Sequence, residues 1–156
     1  MEDLMDVASY VCDRYSSEYG TVIDEMKLHK LLYFAQRESL IQTKEPLYDA
    51  VFYGWKFGPV LKEIRGAYKE DTFYEVVPED VVSRIKPVMD KVFGEYAAKD
   101  SWSLSRLTHG ELSWKNSRLD ISGDKSSDNA MKLEDIAKDA DRIRERRSVL
   151  AQYGLI

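Results

Sequence analysis

Lys27-Leu28-His29-Lys30-Leu31-Leu32-Tyr33-Phe34-Ala35-Gln36 is the stretch on which the fold turns. Leu28, Leu31, Leu32 and Ala35 recur at helical spacing and form one apolar face. Met26, Tyr33, Phe34, Leu40 and Ile41 carry the apolar surface around much of the remaining cylinder. A helix that is apolar on more than one side is buried on more than one side. The spacing therefore predicts a central helix from near Asp24 to about Ile41, with the other elements packed around it.

Upstream, Leu4, Val7, Ala8, Val11 and Tyr15 form the stripe of an amphipathic helix, which Asp3 can cap and Gly20 can end. Downstream, Pro46-Leu47-Tyr48 and the aromatic run Ala50–Phe57, broken by Gly54, read as a short strand or an irregular segment laid across the core. Pro59 suits the first turn of a helix carrying Val60, Leu61, Ile64 and Tyr68. Thr72–Val77, closed by Pro78, is a short strand candidate that can form a small hairpin with the segment around Val51–Trp55. Pro87 is expected to separate a turn from a helix over Val88–Tyr96, because proline lacks a backbone donor. Asp100 or Ser101 caps a further short helix with Trp102, Leu104 and Leu107, and Ser113–Asn116 opens another turn. Residues 122–129 are the most loop-like stretch, and a last helix runs from about Lys132 to Gln152. The fold class expected is mainly α: a compact single-domain helical bundle, residues 1–156, with room for a small β-hairpin.

Composition sets the outer bounds. The chain has 156 residues, 23 Lys+Arg against 28 Asp+Glu, a net charge of −5 and one cysteine. That length fits one domain and can bury a sizeable core without staples. A single cysteine excludes an intrachain disulfide and any cysteine-rich zinc site. No apolar run reaches a membrane span, and the acidic start Met1-Glu2-Asp3 is unlike a signal peptide, so the cytoplasm is the expected compartment.

Residues suited to chemistry are sparse. Cys12 is the only thiol and His29 and His109 the only imidazoles; a Cys12–His29 pair is the one arrangement that could activate a nucleophile. No phosphate cradle, nucleophile elbow or dinucleotide fingerprint occurs. No enzyme, cofactor or metal site is expected. On the last helix, acids lead and arginines follow, which complements the helix dipole. Arg142, Arg144, Arg146 and Arg147 are either a solvated face or a patch for phosphates or an acidic partner. Tyr48, Phe52, Tyr53, Trp55 and Phe57 fall within ten residues. Alternation puts Tyr53, Trp55 and Phe57 on one face and Phe52 on the other, so this cluster either fills the core or leaves anchors for a partner. Tyr48, Tyr53, Trp55, Arg142, Arg146 and Arg147 are the candidate partner-binding residues.

The order of motifs resembles the Panacea domain, the SocA-like family also described as phage-associated proteins. The resemblance is carried by Lys27–Gln36, Glu45-Pro46-Leu47-Tyr48, Phe52–Val60 and Tyr68-Lys69, then by Leu104–Glu111 and Trp114. It covers about Met5 to Trp114. The positions that match are Lys27, Leu28, Leu31, Tyr33, Leu47, Trp55, Gly58, Pro59, Val60, Tyr68, His109 and Trp114. Gly54, Phe57 and Ser113 depart from the family's usual alanine, tyrosine and proline.

The resemblance implies a small helical antitoxin that neutralises a cognate toxin by direct binding, without catalytic residues. A host protease is a further partner where such a protein acts as an adaptor. A nucleic-acid-binding regulator using Arg142–Arg147 is the alternative that the basic patch leaves open, although the net charge argues against it. Partner choice is expected in variable surface: Asp71–Glu75, the 122–129 loop and the last helix.

Overall fold

The computed structural model describes residues 1–156 except Thr72, Tyr74, Glu75, Gly123 and Asp124. Helix α1 (Leu4–Tyr19) begins where the Asp3 carboxylate accepts from the Met5 and Asp6 amides, and ends at Gly20 in the left-handed region. Helix α2 (Glu25–Thr43) is capped by Asp24 through the Lys27 amide. All residues from Lys27 to Ile41 are buried, and the helix packs against elements from both halves of the chain. It is the central helix the sequence predicts.

Strands β1 (Tyr53–Trp55) and β2 (Gly58–Val60) form a tight antiparallel hairpin with Tyr53 opposite Val60 and Trp55 opposite Gly58. This corrects two expectations. The partner of β1 is not the Thr72–Val77 stretch: Phe73, Val76 and Val77 lie in no strand, and Thr72, Tyr74 and Glu75 lie outside the described residues. Pro59 belongs to β2 rather than to a first helical turn, and α3 (Lys62–Glu70) begins three residues later. The missing N–H of Pro59 is tolerated because β2 pairs with β1 alone and is an edge strand. On the other side of β1, the Gly54 amide donates to Asn129 O at 2.9 Å and the Met131 amide to Phe52 O at 2.7 Å. The end of the loop-like stretch is thus tied to the hairpin by backbone hydrogen bonds.

Helix α4 (Glu79–Val92) runs on through Pro87 and passes into a π-helical turn over Phe93–Ala97. The expected break does not occur, for two physical reasons. Val81, Ile85, Val88, Met89 and Val92 are buried on one face spanning the proline, so packing holds both sides of it in register. Pro87 itself is exposed, as is Ser83, whose carbonyl loses its partner to the proline and can turn to water.

Helix α5 (Ser101–His109) is capped by Asp100. Helix α6 (Leu112–Ser117) has no cap of its own; Asp139 of α7 (Leu133–Gln152) accepts from the Leu112 amide at 2.8 Å and the Ser113 amide at 2.9 Å. A proline at 113 could not make the second bond, so the departure Ser113 gains a donor that the family's usual residue lacks. Gly54 has a comparable local reason: a Cβ there would collide with the Ser117 side chain. No helix among the described residues is long and apolar enough to cross a membrane.

Candidate functional site

The polar residues inside α2 organise the molecule. Lys27 Nζ donates to Tyr15 Oη at 3.1 Å and Ala97 O at 3.0 Å. Gln36 bridges to the chain at Leu47 and Tyr48 through three hydrogen bonds. Arg37 pairs with the buried Glu111 and donates to Tyr96 Oη at 2.6 Å. Tyr33 Oη shares a hydrogen bond with Ser113 Oγ at 3.0 Å. Burial pushes the Glu111 carboxyl up to about 7 against the attraction of Arg37. Leu28 and Leu31 fill the core beside them.

The arginines of α7 are mostly committed. Arg147 forks onto Glu38 at 2.8 and 2.9 Å, and Arg144 donates to Leu40 O at 2.6 Å and Ile41 O at 3.0 Å, at the end of α2. Arg142 reaches Glu111 Oε2 at 3.4 Å. Arg146 is exposed and makes no ion pair among the described residues. The gradient of charge seen in the sequence is therefore largely a clamp between the two longest helices.

The aromatic cluster divides as alternation predicts, with one correction. Phe52 is buried in the core, and Tyr53 and Trp55 are half-buried on the outer face. Tyr48 is 0% exposed, with its hydroxyl donating to Leu32 O at 2.6 Å, so it is withdrawn from the partner-binding set. Its sequence neighbours put it near a surface segment, but Gln36 pulls that segment inward. Phe57, at the hairpin tip, is 43% exposed and meets the 55% exposed Trp102 edge-to-face at 5.2 Å. In the sequence, only its place on the exposed side of a short helix marks Trp102. Cations flank this ridge: Lys62 Nζ lies 4.0 Å from the Tyr53 ring centroid and the Arg65 guanidinium 5.3 Å from that of Trp55.

Behind the ridge lies a cleft of about 570 Å³ between the hairpin, the start of α2, α3 and residues 126–128. Met26, Trp55, Phe57 and Val60 supply apolar walls. Lys30 belongs to its lining, although it is only 1% exposed. Its single hydrogen bond among the described residues is a long one, 3.3 Å to Pro59 O. The Gly58-Pro59 pair makes this placement feasible. Gly58 has φ +117°, and a Cβ there would sit 2.6 Å from both Lys30 Cε and Thr108 Oγ1. Gly58→Ala is expected to destabilise the protein by at least about 1–3 kcal/mol from backbone strain alone, measurable by urea denaturation. Unchanged stability would mean that the hairpin relaxes freely away from Lys30.

The remaining motif residues brace this region. Trp114 Nε1 donates to Trp55 O at 2.8 Å, and the Trp114 ring stacks on His109 at 4.2 Å. Tyr68 Oη donates to Ile23 O at 2.7 Å, and Leu47 is buried. The Cys12–His29 pair is not assembled as a catalytic unit. His29 Nδ1 accepts from the Leu61 amide at 3.2 Å and Nε2 faces Glu25 at 3.1 Å, so both ring nitrogens are engaged. Burial lowers His29 to about 4 and pushes the Cys12 thiol up to about 12, leaving a neutral ring and a protonated thiol. No cluster of metal-ligating side chains occurs among the described residues.

The model of the antitoxin SocA-like Panacea domain matches residues 28–115, more than half of the chain. The chain belongs to this family. The matched span holds the central helix from Leu28 onward, the hairpin and the braces from α5 and α6, and leaves α1 and α7 outside it. No curated protein and no solved structure matches the chain.

Proposed function

We propose that this protein is a single-domain antitoxin that neutralises a cognate toxin by non-catalytic, direct contact through the ridge of Tyr53, Trp55, Phe57 and Trp102. Membership of an antitoxin family supports the role. The observation that carries the choice of surface is the exposed pair Phe57–Trp102 beside half-buried Trp55, since large aromatics left at a surface are typical anchors of protein interfaces. Lys56 at the hairpin tip suits a partner with an acidic group beside an apolar centre, whereas Lys62 and Arg65 are paired with Asp128 and Glu25. The nucleic-acid reading loses support, because Arg142, Arg144 and Arg147 already serve carboxylates and carbonyls.

The test is co-expression with the product of the adjacent gene, followed by size-exclusion chromatography and titration. Wild type is expected to co-elute with that product and to relieve its toxicity. Trp55→Ala and Phe57→Ala should each weaken binding by about thirtyfold, the size of a 2 kcal/mol hot spot, with melting temperatures close to wild type. Unchanged affinity in both variants would move the interface elsewhere. An adjacent product that is harmless alone, or that never co-elutes, would defeat the antitoxin reading for this chain.

A further inference from the structure

The cleft behind the ridge contains a buried lysine, Lys30, that pairs with no carboxylate among the described residues. A buried ammonium ordinarily recruits a carboxylate, because an unpaired charge in a poorly solvated site is costly. The acids nearest Lys30 are engaged elsewhere. Glu25 Oε2 accepts from Arg65 at 2.9 Å and faces His29. Asp24 caps α2 and accepts from Ser101 Oγ at 2.8 Å. Across the cleft, Asp128 accepts from Lys62 Nζ at 2.7 Å and Trp55 Nε1 at 3.2 Å. His29 and His109 are both lowered by burial, so neither adds positive charge beside Lys30, and an imidazole cannot supply a negative one. Lys56 on the hairpin adds a second cation to the lining. What remains is an apolar-walled space with Lys30 in its lining, held by a single long hydrogen bond to a carbonyl.

We propose that this cleft is a binding site for a carboxylate carried on an apolar group, with the carboxylate oxygens on Lys30 Nζ and the apolar body against Trp55, Phe57 and Met26. The size falls in the range of small-ligand sites. One buried ammonium matches a monoanion, whereas phosphate sites gather several convergent donors such as a helix N-terminus or a nest of amides. The assignment goes beyond the toxin reading and stands or falls separately from it.

Proton linkage gives the site a signature. Burial lowers Lys30 to about 7, outweighing the pull of Glu25 and Asp24 in the other direction. At and above neutral pH the empty cleft therefore holds a substantially neutral amine, and an entering carboxylate draws a proton onto it. Binding takes up a proton, and affinity falls by up to about tenfold per pH unit above neutrality.

Calorimetric titration of the whole chain tests this. The probes are phenylbutyrate, hexanoate and a tripeptide ending in Phe, each compared with its primary amide, in two buffers of different ionisation enthalpy. The expected result is at least one acid bound about tenfold or more tightly than its amide, with proton uptake, and loss of that preference in Lys30→Met. Binding of the small acids alone assigns the site to a free organic acid, and binding of the tripeptide acid assigns it to a chain terminus. No acid preferred over its amide across the panel overturns the proposal, as does a preference that survives Lys30→Met or binding without proton uptake. The wild-type comparison of acid with amide decides the matter even if the variant fails to fold.

Discussion

Lys30→Met is expected to melt higher than the wild-type protein at pH 7, and the gain is expected to fade towards pH 10. The folded protein holds Lys30 at about 7, against an ordinary value of 10.5, because burial disfavours the ammonium. Between these values the unfolded chain binds the proton more readily than the folded one. Stability is therefore depressed below pH 7 and recovers as pH rises through that window. The depression amounts to about 4 kcal/mol at neutral pH. Methionine keeps the length of the stem but gives up the hydrogen bond to Pro59 O, worth about 1 kcal/mol. The balance is a gain of about 3 kcal/mol, or roughly 6–12 °C in melting temperature for a chain of this size. Thermal melts at pH 7 and pH 10 measure it. A lower melting temperature at pH 7 would mean that the ammonium is an integral part of the core, and the account of Lys30 would fail.

Arg37→Met should have the opposite sign and a similar size. Arg37 and Glu111 are both buried, and the same carboxylate group faces Asp139 across the end of α6. Removing one member of a buried ion pair strands the other and costs about 3–5 kcal/mol. The loss should grow as pH rises above about 7 and level off below it, because Glu111, already raised by burial and raised further once Arg37 is gone, is protonated there and needs no countercharge. In the wild-type protein the same raised carboxyl lowers stability as pH climbs from 4.5 to 7. His29, lowered to about 4, acts the other way between 4 and 6.5, so the two largely cancel there. A deficit in Arg37→Met that stays constant from pH 6 to pH 9 would remove Glu111 from the explanation. Denaturant melts across that range give the answer.

What was legible in the sequence was local. Asp3, Gly20, Asp24 and Asp100 marked helix ends that the structure keeps, because a cap depends only on residues two or three positions away. The two prolines misled for the complementary reason. Pro87 sits in a helix whose buried face is continuous across it, and Pro59 sits on a free strand edge; both contexts are tertiary. The site was legible in part. The alternation of Phe52 against Tyr53 and Trp55 held, whereas Tyr48 was drawn inward by Gln36, twelve positions away. Lys30 passed as one polar letter in a helical motif. Yet a helix predicted to be buried on more than one side is expected to bury some of its lysines too, and that is the available signal. The clamp of α7 arginines on α2 had none, since Glu38 and Arg147 are 109 positions apart.

The borrowed cap on α6 has a consequence for the timing of biosynthesis. The amides of Leu112 and Ser113 find their acceptor only when Asp139 arrives, and Trp114, the brace beneath Trp55, rides on that same short helix. A nascent chain released one residue at a time cannot finish the hairpin's support until the start of helix α7, through Asp139, has left the ribosome. The brace beneath the aromatic ridge therefore matures only once Asp139 has been made, and a chain truncated before that residue would lack it. If the ridge is the toxin-binding surface, only copies that extend past Asp139 count in the balance with toxin.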